Sequence, residues 1–242
     1  MPTKVSVGEL LGTTLGALTR NLGPLIVLLL LVYLPFVAIL ALITTRADTE
    51  QGQMLTTFGS MIILMLAAFL AQGAVSSGMY NHLRGKGFGL GDSLARAVSQ
   101  LLPLILLALV STFLILAGFM LLLVPGLILQ CALYVAVPAM MVEGLGVGAA
   151  VRRSFDLTAG YRMRIFGLNL LVGVVVGVPL RIVNMVIELA MAQSAPVAAF
   201  MITNLLSGLS SMAGAVAMVV VYFRLREDVD GVGLEQLADV FA

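Results

Sequence analysis

Six membrane-crossing helices in an all-α chain are what this sequence predicts, and three observations carry that expectation. Hydrophobic residues make up 61% of the 242 and charged ones only 10%, with a mean hydropathy of +1.13, a balance that excludes a water-soluble globule of this length. The apolar residues come in long uncharged runs, and roughly 20 such residues are enough for a helix to cross the hydrocarbon core. The basic residues collect in alternate connections between those runs. The net charge of +1 says little by comparison, because in a bilayer the placement of charge matters and its sum does not.

The first span is Leu22–Thr44. It is longer than a signal-peptide core and has no small-residue cleavage site, so it reads as a retained helix. A polar loop with Arg46, Asp48 and Glu50 leads to a second span at about residues 55–80. Residues 101–142 form 42 positions without a formal charge, too long for one helix and about right for two, with "VPG" at 124–126 as the expected turn. A fifth span starts near Ile165 and weakens at Pro179 and Arg181, and a sixth covers about 197–223. Between them, "RIVNMVIELAMAQS" places Arg181, Asn184 and Glu188 on one helical face, as in a separate helix lying at the far interface.

Lys and Arg favour the cytoplasmic side of a membrane. Lys4, Arg20, Arg84, Lys86, Arg96, Arg152, Arg153, Arg162, Arg164, Arg224 and Arg226 all fall in odd-numbered segments, eleven of the thirteen basic residues, and only Arg46 and Arg181 fall on the other side. Both termini are therefore expected in the cytoplasm.

A search for internal repeats aligns "VGELLGTTLGAL" from Val7, "LGDSLARAVSQL" from Leu90 and "VGAAVRRSFDLT" from Val147 without gaps. Each has a glycine (Gly8, Gly91, Gly148) followed by apolar residues three and seven positions on: Leu11 and Leu15, Leu94 and Val98, Val151 and Phe155. Spacing of four puts these on one face, with the charges mostly elsewhere. The expected architecture is three hairpins, each preceded by a cytoplasmic amphipathic interfacial helix, in a single domain over 1–242 with repeats at 6–80, 89–142 and 146–223. A chance likeness among short amphipathic segments leaves each one interfacial all the same, since its charges cannot enter lipid cheaply.

The segment "PAMMVEGLGVGAAVRRSFDLTAG", residues 138–160, resembles one shared by YciC-like bacterial inner-membrane proteins and the membrane domain joined to some glycerophosphodiester phosphodiesterases. There a Pro precedes a Glu at the end of a span, and an amphipathic helix follows with Arg-Ser, then Leu, then Gly. The matching residues are Pro138, Glu143, Arg153, Ser154, Leu157 and Gly160. "VPG" at 124–126 and "YFRLRED" near the end also look like the family, so the resemblance covers most of the second half. It implies a helical domain of the inner membrane with a link to membrane lipids. Phosphodiester hydrolysis does not carry over, because the chain has no soluble barrel domain bearing Glu, Asp and His.

General acid–base chemistry needs titratable groups that converge in a pocket. His82 is the one histidine, set beside Arg84 and Lys86, and Cys131 is the one cysteine, inside an apolar run. No metal or cofactor is implied, and the interfacial and core readings of these two residues are the plainer ones. Gln72, Gln130, Asn169, Asn204, Ser111, Thr112, Ser207 and Ser211 are polar at depth, where they either bond neighbouring helices or line a substrate path. Gly173 and Gly177 form G-x-x-x-G, and Ser207 and Ser211 are small groups at the same spacing, so both pairs are candidates for close helix packing.

Glu143 ends a span, and the next helix brings Arg152 and Arg153 back toward it, predicting an ion pair that fixes the angle between the two helices. The basic side chains Arg84, Lys86, Arg96, Arg152, Arg153, Arg162 and Arg164 are candidates for contact with anionic headgroups or a partner, at about 1 kcal/mol each. Residues 227–242 carry five acids and no base, with Leu234, Leu237 and Phe241 at helical spacing. This tail either docks on the protein's own basic face or a partner, or is disordered. The function expected from all this is a non-enzymatic accessory or scaffold of the bacterial inner membrane that organises lipid or a protein complex, with membrane lipids, a membrane protein or a second copy as partners and no nucleic acid. The alternative is a transporter or lipid-handling protein with a polar path between hairpins.

Overall fold

The computed structural model describes residues 6–44, 49–191 and 193–230. Lys4, Arg46 and the part of the acidic tail at 231–242 lie outside the described residues. The described residues hold eleven α-helices and no β-strand. In chain order they are α1 (Val7–Arg20), α2 (Leu22–Thr44), α3 (Glu50–Leu83), α4 (Leu90–Ser99), α5 (Leu101–Leu121), α6 (Leu123–Ala132), α7 (Ala136–Glu143), α8 (Val147–Thr158), α9 (Arg162–Val172), α10 (Val178–Met191) and α11 (Pro196–Asp230). A π-helical turn over Gly173–Gly177 joins α9 to α10.

Six stretches are long and apolar enough to cross a membrane: Leu22–Ile43, Met54–Leu83, Leu101–Leu121, Leu123–Glu143, Arg162–Met191 and Pro196–Asp230. This is a multi-pass membrane protein. At a rise of about 1.5 Å per residue, the 21 residues of α5 match a hydrocarbon core of about 30 Å, whereas the 34 of α3 and the 35 of α11 project well beyond it.

Helix α11 is the hub, packing against α1, α2, α3, α7, α8, α9 and α10. Its sequence permits this because small and β-branched residues line it: Ala213, Ala215, Val216, Ala217, Val219 and Val220 are all buried. The closest approach to α2 falls at Gly208, where a Cβ would sit 2.7 Å from Leu29 Cδ1 and 3.0 Å from the Tyr33 ring. The outward faces are hydrocarbon-like, with Phe113 75% and Met120 88% exposed on α5.

Two sequence expectations are corrected. The turn after α5 lies at Leu122, in extended conformation (φ −169°, ψ 160°), and "VPG" is already in the first turns of α6. Pro125 is harmless there because an N–H in the first turn has no helical acceptor. The glycines serve packing: a Cβ on Gly118 would lie 2.9 Å from Gly126 Cα, and one on Gly126 2.5 Å from the Phe119 ring. The second correction concerns residues 181–191, which continue the fifth span without a break. The Val178 N–H bonds to the Gly173 carbonyl five residues back, and this wider turn accommodates Pro179 within the helix. Arg181 is 17 residues beyond Arg164, about 26 Å along the axis, so it reaches the opposite end of the bundle while its helix stays continuous.

The three aligned segments are helical, as α1, α4 and α8. Their most buried positions are the second and sixth after the aligned glycine: Leu10 and Thr14, Ser93 and Ala97, Ala150 and Ser154. The larger apolar residues one position later are only partly covered, and Val98 is 54% exposed. Apart from Leu10 and Leu157, the protein-facing surface of these helices is made of short side chains, which allow close approach to the neighbouring helices.

Candidate functional site

The fourth span, α6 plus α7, is broken at residues 133–135. The Ala136 N–H bonds to the Leu133 carbonyl, three residues back, so the Ala132 carbonyl has lost its usual partner. The break is tolerated at membrane depth only where protein covers it, and Ala132 through Ala136 are all under 8% exposed. The freed carbonyl accepts a hydrogen bond from the Ser154 hydroxyl at 2.7 Å and a longer one from Thr158 at 3.3 Å. Pro138 sits in the first turn of α7, where it needs no helical acceptor.

Helix α7 ends at Glu143 and is closed by Gly144 in the left-handed region, φ +66°, with its N–H bonded to the Met140 carbonyl. The chain then doubles back as α8. Arg153 Nε lies 3.1 Å from both carboxylate oxygens of Glu143. The Tyr222 hydroxyl donates to Glu143 Oε1 at 2.7 Å, and Arg226 Nε stands 4.0 Å from the same oxygen. One acid thus ties α7, α8 and α11 together. Arg152, the other expected partner, is exposed and takes no part.

The clamp extends along the last turns of α11. Arg153 also donates to Asp230, the Tyr161 hydroxyl donates to Asp228, and Arg226 donates to the Tyr80 hydroxyl at 2.9 Å. Arg224 pairs with Glu9 at 3.1 Å, which adds α1, and with Glu227 at 3.5 Å. The hydrogen bond that Arg153 donates to Asp230, and after it the one to Glu143, raise the Arg153 pKa against the opposing effect of burial. Its hydrogen bond to Asp228 likewise raises that of the Tyr161 hydroxyl. Leu157 is fully buried on the inner face of α8, and Gly160, φ +83°, turns the chain into α9.

A second feature lies between α6 and α9. Gln130 and Cys131 face Phe166, Asn169 and Gly173 across a membrane-exposed groove of about 400 Å³ that continues over the π turn to Val178. Two of the polar residues singled out from the sequence are thereby brought together. The others are separate: Asn204 donates to the Phe200 carbonyl of its own helix, and Ser207 receives a bond from Asn184 at 3.3 Å. Gly173 meets nothing within 4 Å where a Cβ would stand, and Gly177 comes only within 3.9 Å of Ser210 Oγ. Within the chain, the tight packing expected of these glycines falls instead at Gly118, Gly126 and Gly208. Among the described residues, no group of three His, Cys, Asp or Glu side chains is placed to hold a metal ion.

Residues 86–225 match the family described as a domain of unknown function, DUF7847. The chain belongs to this family. The DUF7847 match takes in α4 to α10 and most of α11, and so contains the broken span, Glu143, Arg153, Tyr222 and the whole groove. Helices α1 to α3 and the last clamp residues, Arg226, Asp228 and Asp230, lie outside the DUF7847 boundaries. No curated protein and no solved structure matches the chain.

Tyr222, Asp230 and the Tyr161 to Asp228 contact were not foreseen from the sequence. The signal for Tyr222 and Asp228 is there in "YFRLRED", where a tyrosine, two arginines and two acids follow one another at the end of a span, with Asp230 two residues on.

Proposed function

We propose that the protein is a non-enzymatic scaffold of the bacterial inner membrane, built as three hairpins, each entered through an amphipathic helix on the cytoplasmic surface, that organises anionic lipid or a membrane partner. The observation that carries this reading is the clamp around Glu143. Glu9, Glu143, Asp228 and Asp230 are engaged in joining helices, while Arg152, Arg96 and Lys86 are exposed, as are Asp92 and Asp156 near them. Such arginines and lysines attract anionic headgroups at about 1 kcal/mol each. Equivalent burial of the second and sixth positions in α1, α4 and α8 supports the threefold repeat, and the motif of residues 138–160 supports kinship with the YciC-like proteins. Gentle extraction followed by native mass spectrometry tests the proposal. Retained anionic lipid or a stoichiometric partner supports it, and a bare monomer without either opposes it.

The groove favours one further reading, in which the chain handles lipid along a polar path. Gln130 and Asn169 face it together, and in that case Gln130→Leu and Asn169→Leu reduce lipid movement between leaflets of reconstituted vesicles.

A further inference from the structure

Along α9 and the π turn, one stripe at helical spacing runs from Arg162 through Phe166, Asn169 and Gly173 to Val178. From Phe166 onward it forms a wall of the groove, and Arg162 precedes that wall by about one helical turn, at the start of α9. The order of chemistry along the stripe is cation, amide, then hydrocarbon.

The guanidinium of Arg162 is stacked over the Phe155 ring at 5.8 Å. Its Nε is buried without a hydrogen-bond partner, a costly condition for a charged donor. No side chain caps the first turn of α9, so the start of that helix favours an anion as well. Seven residues on, about 10 Å along the axis, Asn169 faces Gln130 across the groove. Neither amide bonds to another described residue, and an unsatisfied amide at this depth needs a partner that the protein does not supply. Beyond Asn169 the wall is Leu170, Gly173, Val174 and Val178, apolar for about 14 Å, nine residues of helix.

We propose that this groove holds one anionic phospholipid, with its phosphate on Arg162, its ester carbonyls at the Asn169 and Gln130 amides, and one acyl chain over Gly173, Val174 and Val178. A phosphate oxygen accepts from the terminal guanidinium nitrogens of the half-buried Arg162, ester oxygens accept from both amides, and the missing Cβ of Gly173 leaves room for the chain. The proposal rests on the lipid-organising reading above and narrows it from a diffuse basic surface to one site.

The test is native mass spectrometry of the delipidated full chain titrated with phosphatidylglycerol or with phosphatidylcholine of the same acyl chains. The wild type takes up one phosphatidylglycerol at least about tenfold more tightly than phosphatidylcholine, because both offer the phosphate but the choline ammonium of the second is repelled by Arg162, at a cost of about one charge interaction. Gly173→Leu, which fills open space and leaves the melting temperature unchanged, loses that adduct, and Val174→Trp does the same. Arg162→Gln abolishes the preference between the two lipids, while Arg96→Gln leaves it intact. Millimolar glycerol phosphate fails to compete, because the acyl chain is part of what is recognised. The proposal is overturned by an undiminished adduct in both groove-filling variants, by a preference that survives Arg162→Gln, or by Gly173→Leu splitting a dimer instead, which would make a second copy the occupant. If the adduct survives Gly173→Leu but falls with Arg152→Gln, the groove is wrong and the lipid-organising reading stands. A wild type that prefers neither lipid and retains no partner defeats both.

Discussion

The Ser154 hydroxyl donates to the Ala132 carbonyl, 2.7 Å away across 22 residues of chain. This bond closes the gap left where the fourth span breaks. Ser154→Ala leaves the carbonyl only the longer Thr158 bond, and we expect a loss of about 1 kcal/mol, the scale of interhelical hydrogen bonds in membrane proteins. Ser154→Ala with Thr158→Val costs more than the sum of the singles, measured by thermal unfolding in detergent, because only the pair strands the oxygen completely.

Glu143 accepts from Arg153 and Tyr222 together. Tyr222→Phe and Glu143→Gln each lower the melting temperature, and a double-mutant cycle gives a coupling of about 1 kcal/mol. Arg153→Gln is the more damaging change, since it leaves Glu143 with only the Tyr222 hydroxyl and Arg226 at 4.0 Å, and Asp230 with only Arg226 at 3.7 Å. Additive single and double variants would separate these residues energetically despite their contact.

Glycines divide into two kinds. Gly118→Ala places a Cβ against the backbone of Gly126, which cannot swing aside, and destabilises by about 1–3 kcal/mol. Gly173→Ala meets open space and is neutral or slightly stabilising by helix propensity. Parallel thermal scans of the two variants read the difference directly.

The Tyr161 to Asp228 bond and the Arg153 to Asp230 pair hold the last turn of α11 on the bundle. Tyr161→Phe with Asp230→Asn raises amide hydrogen exchange over residues 224–230 and leaves the rest of α11 protected. Unchanged exchange there would mean that the turn is stable without the clamp.

The spans were legible because a run of uncharged residues longer than 20 has few alternatives, and the pairing of Glu143 with Arg153 was legible because only one short helix separates them. What stayed hidden depends on distant contacts. No glycine or proline marks the break at 133–135, which exists because Ser154 and Thr158 take the freed carbonyl, and Pro138 three residues later is its one local trace. "VPG" read as a turn because Pro and Gly are the usual turn residues, yet here Pro125 starts a helix and Gly126 admits Phe119. Pro179 and Arg181 looked like the end of a span, since the π turn that carries the helix past them leaves no mark in composition. In the groove, Gln130 and Asn169 were recognisable one by one, but their meeting across α6 and α9 was not.

The proposed topology rests on one partition, in which eleven of the thirteen cationic side chains gather at a single surface. Cysteine labelling measures it most directly. In a Cys131→Ser background, a membrane-impermeant maleimide should modify Gln51→Cys from outside intact cells and Lys86→Cys only in inverted vesicles, since α3 carries these two positions to opposite ends. Labelling of both from the same side, or of Lys86→Cys from outside, would contradict the account.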